Sequence, residues 1–592
     1  MAQSPGGRGG TSSPTAVRTA TKSASATGAT ARATRATAST ADAASRTAAK
    51  APRRPAGTGK ARAGKARAGK SRADAPSRAG TGQGSSHAAV RGAVRHLPVV
   101  PALTARLTAQ QRKAIADAIK QPETFLRRAR RLPEAAAMLR DAVGPILTGK
   151  VDDWRAEYAY TTGLQAFIYG FPYIFNARLR HDWVSGSKDQ AAGPRAAVNH
   201  FWHATKLADA SYRGGGCPSN DVLYSLAWVD VSGEPVILSH PNMANRYFAF
   251  ELVDFSSDNV DYVGQRSTGR NAGHFAITGP GWKGRLPAGT RKTRPCPTPW
   301  VMVLGRTLVD GQQDVANVRA LQEQYLLTPL SAWGKPRAKL PRRRAVYKPA
   351  EPQRDPLAPW KSLNAMLAEN PPPPDHALLL HQFARIGIGP GMKPEAQPDV
   401  VRRGLIRAAA VGMPLLREQF LSGDAAAAID GWRYPAAAEG RFGDDFLRRA
   451  SGQSLAGIAA NDPAEAVHLV GFQDAEGRTL SPKGRYRLRF PPGLLPPADA
   501  FWSLTAYSEQ DMNMIQNAAG RYSVGDRTPG LKREPDGGLT IYLQPSSPGP
   551  ARIANWLPTS REHPWFVILR VYRPRRSVAQ GSWRCPGLVK VT

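Results

Sequence analysis

The 592-residue chain is short of several things, and each shortage excludes something. Cysteine is scarce: Cys217, Cys296 and Cys585 are the full set. An odd, sparse set without C-x-x-C spacing argues against a disulfide framework and against a zinc knuckle. Long apolar runs are missing too. No stretch of about eighteen apolar residues occurs, so no transmembrane helix is expected. The first apolar candidate, LPVVPAL from Leu97, is broken by prolines and lies too far in for a secretory signal, which predicts a cytoplasmic protein. Catalytic signatures are also lacking. There is no G-x-S-x-G elbow and no H-E-x-x-H helix, and GPGMKPE and GPGWKG lack Walker-A spacing. Neither a cofactor nor a metal is expected.

Acidic residues are rare at one end. The first hundred positions hold only Asp42 and Asp74, in a chain of net charge +36. Ala, Ser, Thr, Gly, Lys and Arg make up almost all of this stretch up to about His87, and residues 59–73 read GKARAGKARAGKSRA. Such a composition cannot bury enough apolar area to offset the entropy of ordering, so residues 1–95 read as a disordered basic tail. Recurrent Lys and Arg on a flexible chain bind nucleic acid or another polyanion without specificity, through counterion release. No aromatics are interleaved, so stacking on single strands is not supported. The plainer alternative is a solvated tail without a partner.

Past the tail, the period of the apolar residues marks the layout. Residues 96–190 read as helical, and AEYAYTTGLQAFIYGFPYIFNARLR is apolar over most of its faces, so it should lie buried between layers. In 191–335 the period falls to two, in VLYSLAWVDV, PVILSH, RYFAFELVDF, HFAITGP and PWVMVLGRTL, which predicts a first β-sandwich. Alternation in RYFAFELVDF puts Phe248, Phe250 and Leu252 on a core face and Tyr247, Ala249, Glu251 and Val253 on the other. Residues 336–480 form a Pro-rich connector and a helical insert. In 481–592, RYRLRF, AFWSLTAYS, GLTIYLQPS and WFVILRVY predict a second sandwich. The fold class is therefore mainly β with helical segments.

Long ordered strings carry a family resemblance. SNDVLYSLAWVDVSGEPVILSHPNMANRYFAFELVDFSSDNVDYVGQRSTG and HFAITGPGWKGRLPAG resemble the bacterial domain of unknown function 1254. FWSLTAYS, GRYSVGDRTPGL, DGGLTIYLQPSSPG, NWLPT, VILRVYRP and GSWRCPGLVKV resemble its companion, domain of unknown function 1214. The resemblance implies an immunoglobulin-like sandwich and a jelly-roll-like sandwich joined by helices. It implies little about activity. Similar proteins often begin with an export signal, and they tend to carry NP-x-N-R-Y where this chain reads NAAGRY, so Gly520 replaces an amide.

Polar residues at strand ends supply the site candidates. His203, Asp221 and Tyr224 would form an acid–base group if they line a cleft. Asn220 and Arg266 would join them from the first sandwich, with Arg521, Tyr522, Asp526 and Trp556 from the second. Trp556 would supply an apolar wall and the arginines a grip on an anionic or carbonyl-bearing ligand. Each has a structural alternative: loop hydrogen bonds, an Arg–Asp pair, a packed Trp. Asp254, Asp258 and Asp261 are spaced for a turn and lack a calcium loop. Two readings follow. One is a binder of a small polar-aromatic or carbohydrate-like molecule between two sandwiches, with hydrolase- or lyase-like processing left open. The other is a non-enzymatic scaffold tethered by its tail. A homo-oligomer is compatible with both.

Overall fold

The computed structural model describes residues 153–591, apart from 186–192, 213, 215, 336–344, 423–427 and 456. The expected tail, and the part of the helical segment before 153, lie outside the described residues. Helix α1 (Trp154–Ser185) comes first. The first sandwich follows: β1 (Trp202–His203), β2 (Val222–Asp230), β3 (Val236–His240), β4 (Phe248–Asp254), β5 (Asn259–Gly264), β6 (Gly273–Ile277), β7 (Thr290–Lys292), β8 (Trp300–Leu308), α2 (Val315–Gln322) and β9 (Leu326–Pro329). One sheet runs β1-β2-β8-β4-β5 and the other β7-β6-β3-β9.

Strand β4 follows the period-two pattern. Phe248, Phe250 and Leu252 meet Val236, Leu238 and Phe275 of the facing sheet in one buried core. Burying each large apolar side chain contributes roughly 1.5–3 kcal/mol. The opposite face of the same sheet is buried as well. At one end Trp228, Trp300 and Met302 pack against helices. At the other, Val222, Tyr247, Ala249 and Tyr262 pack against Ala466, Phe501 and Tyr572 of the second sandwich.

Those helices are α1, α3 (Ala358–Glu369), α4 (Ala377–Ala384), α5 (Asp399–Ser422) and α6 (Phe446–Leu455). Helix α1 buries Ala159, Phe167, Tyr169 and Tyr173 against Trp360, Leu363 and Leu405. It meets α5 at close range: a Cβ on Gly404 would lie 2.5 Å from the Ala156 carbonyl oxygen. A sequence apolar on most sides thus becomes the centre of a helical layer.

The second sandwich contains β10 (Trp432–Arg433), β11 (Ala466–Gly471), β12 (Arg485–Phe490), β13 (Ala498–Ser508), β14 (Ser523–Gly525), β15 (Leu539–Gln544), β16 (Trp556–Pro558), β17 (Trp565–Pro574), α7 (Arg576–Ala579) and β18 (Val589–Val591). Its sheets run β10-β11-β17-β13-β14 and β16-β15-β12-β18. Strands β10 and β11 lie ahead of residue 481, so this sandwich recruits chain from the helical insert. Trp502 and Trp565 fill its core with Tyr486, Leu488 and Ile541. The two five-stranded sheets are the inner layers, and each has a central strand: β8 in the first and β17 in the second. Among the described residues, no helix is long and apolar enough to cross a membrane.

Candidate functional site

Both inner sheets carry an arginine on the central strand, facing away from their own sandwich core. Arg306 on β8 stands directly across from Tyr224 on β2. Arg570 on β17 stands directly across from His468 on β11. All four side chains line one cavity of about 320 Å³, which lies within the usual range for small-molecule sites. Tyr572 and Ile568 from β17, Val470 from β11, and Leu226 and Leu304 from the first sandwich extend its wall. The helical insert closes it with Glu439, Phe442, Arg448, Arg449 and Gln453.

The electrostatics of this chamber are lopsided. Five arginines line it (Arg306, Arg433, Arg448, Arg449 and Arg570) against one carboxylate, Glu439. Arg306 is neutralised by Glu251, whose Oε2 accepts from its Nη1 at 2.6 Å. Arg449 is paired with Asp258 at 3.0 Å. Arg570 is different. It is 3% exposed and donates only to neutral oxygens, the Tyr507 hydroxyl at 2.7 Å and the Cys217 carbonyl at 2.7 Å. Among the described residues, no carboxylate lies within ion-pair distance of it. A guanidinium does not deprotonate in a protein, so this charge stays buried and unmatched.

His468 is half-buried, and its Nε2 is inaccessible and has no hydrogen-bond partner among the described residues. Its pKa is held well below the ordinary histidine value, first by burial and then by Arg570 and Arg306. The imidazole is therefore neutral at pH 7. Burial raises the Glu439 carboxyl, opposed by the Ala436 N–H. Cys217 also lines the chamber, but burial pushes its thiol up to about 12, so it is no thiolate nucleophile.

Of the nine candidates read from sequence, Tyr224 lines this chamber, and its hydroxyl accepts the Ser219 N–H at 2.7 Å. The others are spent on structure. His203 Nδ1 bonds Ser225 Oγ at 2.9 Å, and its ring packs on Phe201 and Tyr325. Strand alternation puts Ser225 on the opposite face of the sheet from Tyr224. Burial lowers the His203 pKa to about 4. His203 and Asp221 therefore do not share a proton. Asp221 Oδ2 accepts instead from Ser503 Oγ at 2.6 Å and Ser219 Oγ at 3.1 Å. Asn220 reaches the Ala208 carbonyl at 2.6 Å and Ser523 Oγ at 3.4 Å. Arg266 pairs with Glu465 at 2.6 Å. Arg521 donates to the carbonyls of Ile553, Ala554 and Trp556, and Tyr522 to Gln516 at 3.4 Å. Trp556 is 9% exposed and donates its indole N–H to the Gln544 carbonyl. Asp526 accepts the Trp502 N–H, and burial, with Asp221 nearby, raises its carboxyl to about 6.

The structure does bring Asn220, Asp221, Ser503, Ser523 and Asp526 into one neighbourhood, but as a seam that ties the sandwiches together. Asp254, Asp258 and Asp261 are likewise occupied. They accept backbone N–H groups from Ser256, Phe442 and Arg294. No group of three or more His, Cys, Asp and Glu among the described residues is arranged to hold a metal. Arg306, His468 and Arg570 were missed by sequence reading. The available signal was a lone charge or imidazole interrupting an apolar strand, as in PWVMVLGRTL, WFVILRVY and AVHLVG.

Two family descriptions match the chain. One, "Protein of unknown function (DUF1254)", covers residues 198–329, and "Protein of unknown function (DUF1214)" covers residues 465–576. The chain carries the DUF1254–DUF1214 pair. The chamber is walled by both: β2 and β8 belong to the DUF1254 region, and β11 and β17 to the DUF1214 region. No curated protein matches. Among solved structures, the VPA0106 protein from Vibrio parahaemolyticus is similar over 74% of this chain and 100% of its own, at 23% identity and a TM-score of 0.55, and shares the fold. An uncharacterised protein from Burkholderia cenocepacia matches over 81% of this chain and 96% of its own, at 14% identity and a TM-score of 0.36. In the DUF1214 region, Gly520 takes φ 57°, a left-handed turn position. Asn is the side-chain-bearing residue that tolerates this conformation best, and a Cβ there would meet nothing within 4 Å. The Gly–amide exchange therefore needs no rearrangement of the turn.

Proposed function

We propose that this protein binds a small amphipathic anion, an aromatic carboxylate in the first instance, in the chamber between its two inner sheets. The observation that carries the reading is the buried guanidinium of Arg570, which has no counter-charge among the described residues where a cavity begins. An isolated buried charge is costly, and a bound anion would relieve that cost with charge-assisted hydrogen bonds. Leu226, Leu304, Val470, Phe472 and Ile568 supply an apolar wall for the rest of the ligand. Binding is favoured over catalysis: the residues expected to act as acid and base do not converge, and Cys217 is held as a thiol.

The test is thermal denaturation with benzoate, benzamide and inorganic phosphate. A ligand of the native state raises Tm by mass action. Benzoate should raise it and the isosteric neutral amide should not, and the rise should vanish in Arg570→Gln. Equal shifts with benzoate and benzamide, or a benzoate shift that survives in Arg570→Gln, would remove the reading.

A further inference from the structure

The chamber has a second unmatched group, and it differs in kind from the first. Arg570 lacks a negative charge. His468, its direct cross-strand neighbour, lacks a hydrogen-bond partner on Nε2 among the described residues. Arg306 acts on the same imidazole from the facing sheet, and from His468's own sheet Tyr572 lies edge-on to it with ring centroids 6.3 Å apart. Building on the anion-binding reading, we infer that the chamber takes up a proton together with its anion, and that the proton resides on the imidazole of His468.

The argument is one of charge balance. In the unliganded chamber two guanidiniums act on the ring; Glu251 balances Arg306, while Arg570 has no counter-charge among the described residues, so a further positive charge beside them is unfavourable. An anion seated against Arg570 supplies the missing counter-charge and cancels the repulsion at the ring, and an imidazolium next to it then gains an ion partner. The proton comes from solvent: an N–H bond forms on the ring, and the anion keeps its electron pair and its charge. The pair enters as the equivalent of a neutral acid, so the chamber gains no net charge. Among groups that face His468, Arg570 and Tyr572 come from β17, Arg306 from β8 and Tyr224 from β2. Arg433 on β10, and Glu439 and Arg449 from the helical insert, share the chamber. Of these, Arg306 and Arg570 remain charged throughout, and burial pushes the Tyr572 hydroxyl up to about 12. Among the described lining residues, Glu439 is the other group able to take up a proton, because burial raises its carboxyl. It sits beside the Ala436 N–H at 3.4 Å, on the helical side.

The experiment is calorimetric titration of the full chain with benzoate from pH 5.5 to 8.5, repeated in two buffers of unlike protonation enthalpy. Benzoate itself is ionised throughout this range. The expected result is a buffer-dependent enthalpy corresponding to uptake of up to one proton. Kd should rise toward about tenfold per pH unit at the steepest part of the range. His468→Asn should flatten that pH dependence, and Glu439→Gln should retain it. Binding with a flat Kd and no buffer dependence overturns this inference and leaves the anion reading intact. Linkage that survives in His468→Asn and disappears in Glu439→Gln overturns it in favour of the carboxyl. Failure of benzoate to bind at any pH overturns both. The wild-type buffer comparison needs no variant, so a misfolded His468→Asn does not spare the inference.

Discussion

Between the two inner sheets, the seam around Glu465 and the chamber around Arg570 differ in how their charges are matched. In the seam, Glu465 is 1% exposed, accepts from Arg266 at 2.6 Å and from the Tyr247 hydroxyl at 3.0 Å, and crosses from one sandwich to the other. Nearby, Arg573 reaches Gln265 at 3.0 Å and Asn259 reaches Asp462 at 2.9 Å. In the chamber, among the described residues, a buried arginine has only neutral acceptors, and buried Gln453 Oε1, Arg449 Nε and His468 Nε2 have no partner. Both regions cost desolvation. One recovers it within the chain and fixes how the sandwiches dock. The other leaves it unrecovered, which is what a site for something else requires.

The comparison is broken most severely by removing Glu465. Glu465→Ala strands Arg266 and leaves the Tyr247 hydroxyl without its acceptor inside an apolar cluster. Breaking a buried pair from one side costs ~3–5 kcal/mol, and Arg266 is still partly wet, which puts the expected loss near the low end. Urea denaturation should show a lowered midpoint. A variant as stable as the parent would mean that the seam does not hold the sandwiches together.

Arg570→Met should do less. The substitution removes a buried charge and keeps the apolar stem, so the lost bonds to Tyr507 and Cys217 are offset by desolvation no longer incurred. A net change within ~1 kcal/mol is expected, since replacing a buried ionic group by an apolar one of similar shape is often neutral. A loss as large as that of Glu465→Ala would show that Arg570 is a structural tie, and the distinction between seam and chamber would collapse.

The seam was partly legible in the sequence and the chamber was not, for a physical reason. Polar residues at strand ends, such as Asp221 and Arg266, stand out because turns gather them. Turns also satisfy them, through neighbours like Ser219 or through the facing loop. The strands were legible from period two, and β4 shows it residue by residue. Strand β11 was passed over because AVHLVG is short and sits among helices in the sequence, and β10 has only two residues. That β8 and β17 would face one another is a fact of tertiary pairing, which no local period encodes. Only after that pairing do Arg306, His468 and Arg570 become a group.

The smallest expected effect separates the chamber from a filled part of the first sandwich by pH. His203 belongs to a filled environment and His468 to the chamber, and both are held neutral in the fold, His203 with a pKa lowered to about 4. In the unfolded chain each titrates near 6.5. As pH falls below 6.5, the unfolded state gains protons that the folded state refuses, so stability declines with falling pH. The His203 contribution is fully present above about 6.5, is lost through the window down to about 4, and is flat below that. His203→Asn keeps a hydrogen-bonding atom for Ser225 Oγ but cannot titrate, so its stability should fall less between pH 7 and 4.5 than the parent's. Saturating benzoate should leave the His203 share of that decline unchanged, because the ring lies on the far face of the sheet. It should diminish the His468 share, because the chamber then tolerates a protonated ring. Urea midpoints at pH 7 and 4.5, with and without benzoate, for the parent and for each single Asn variant resolve the two shares. A benzoate effect confined to His203, or an equal effect on both histidines, would show that the chamber and the far face of the first sheet respond as one region.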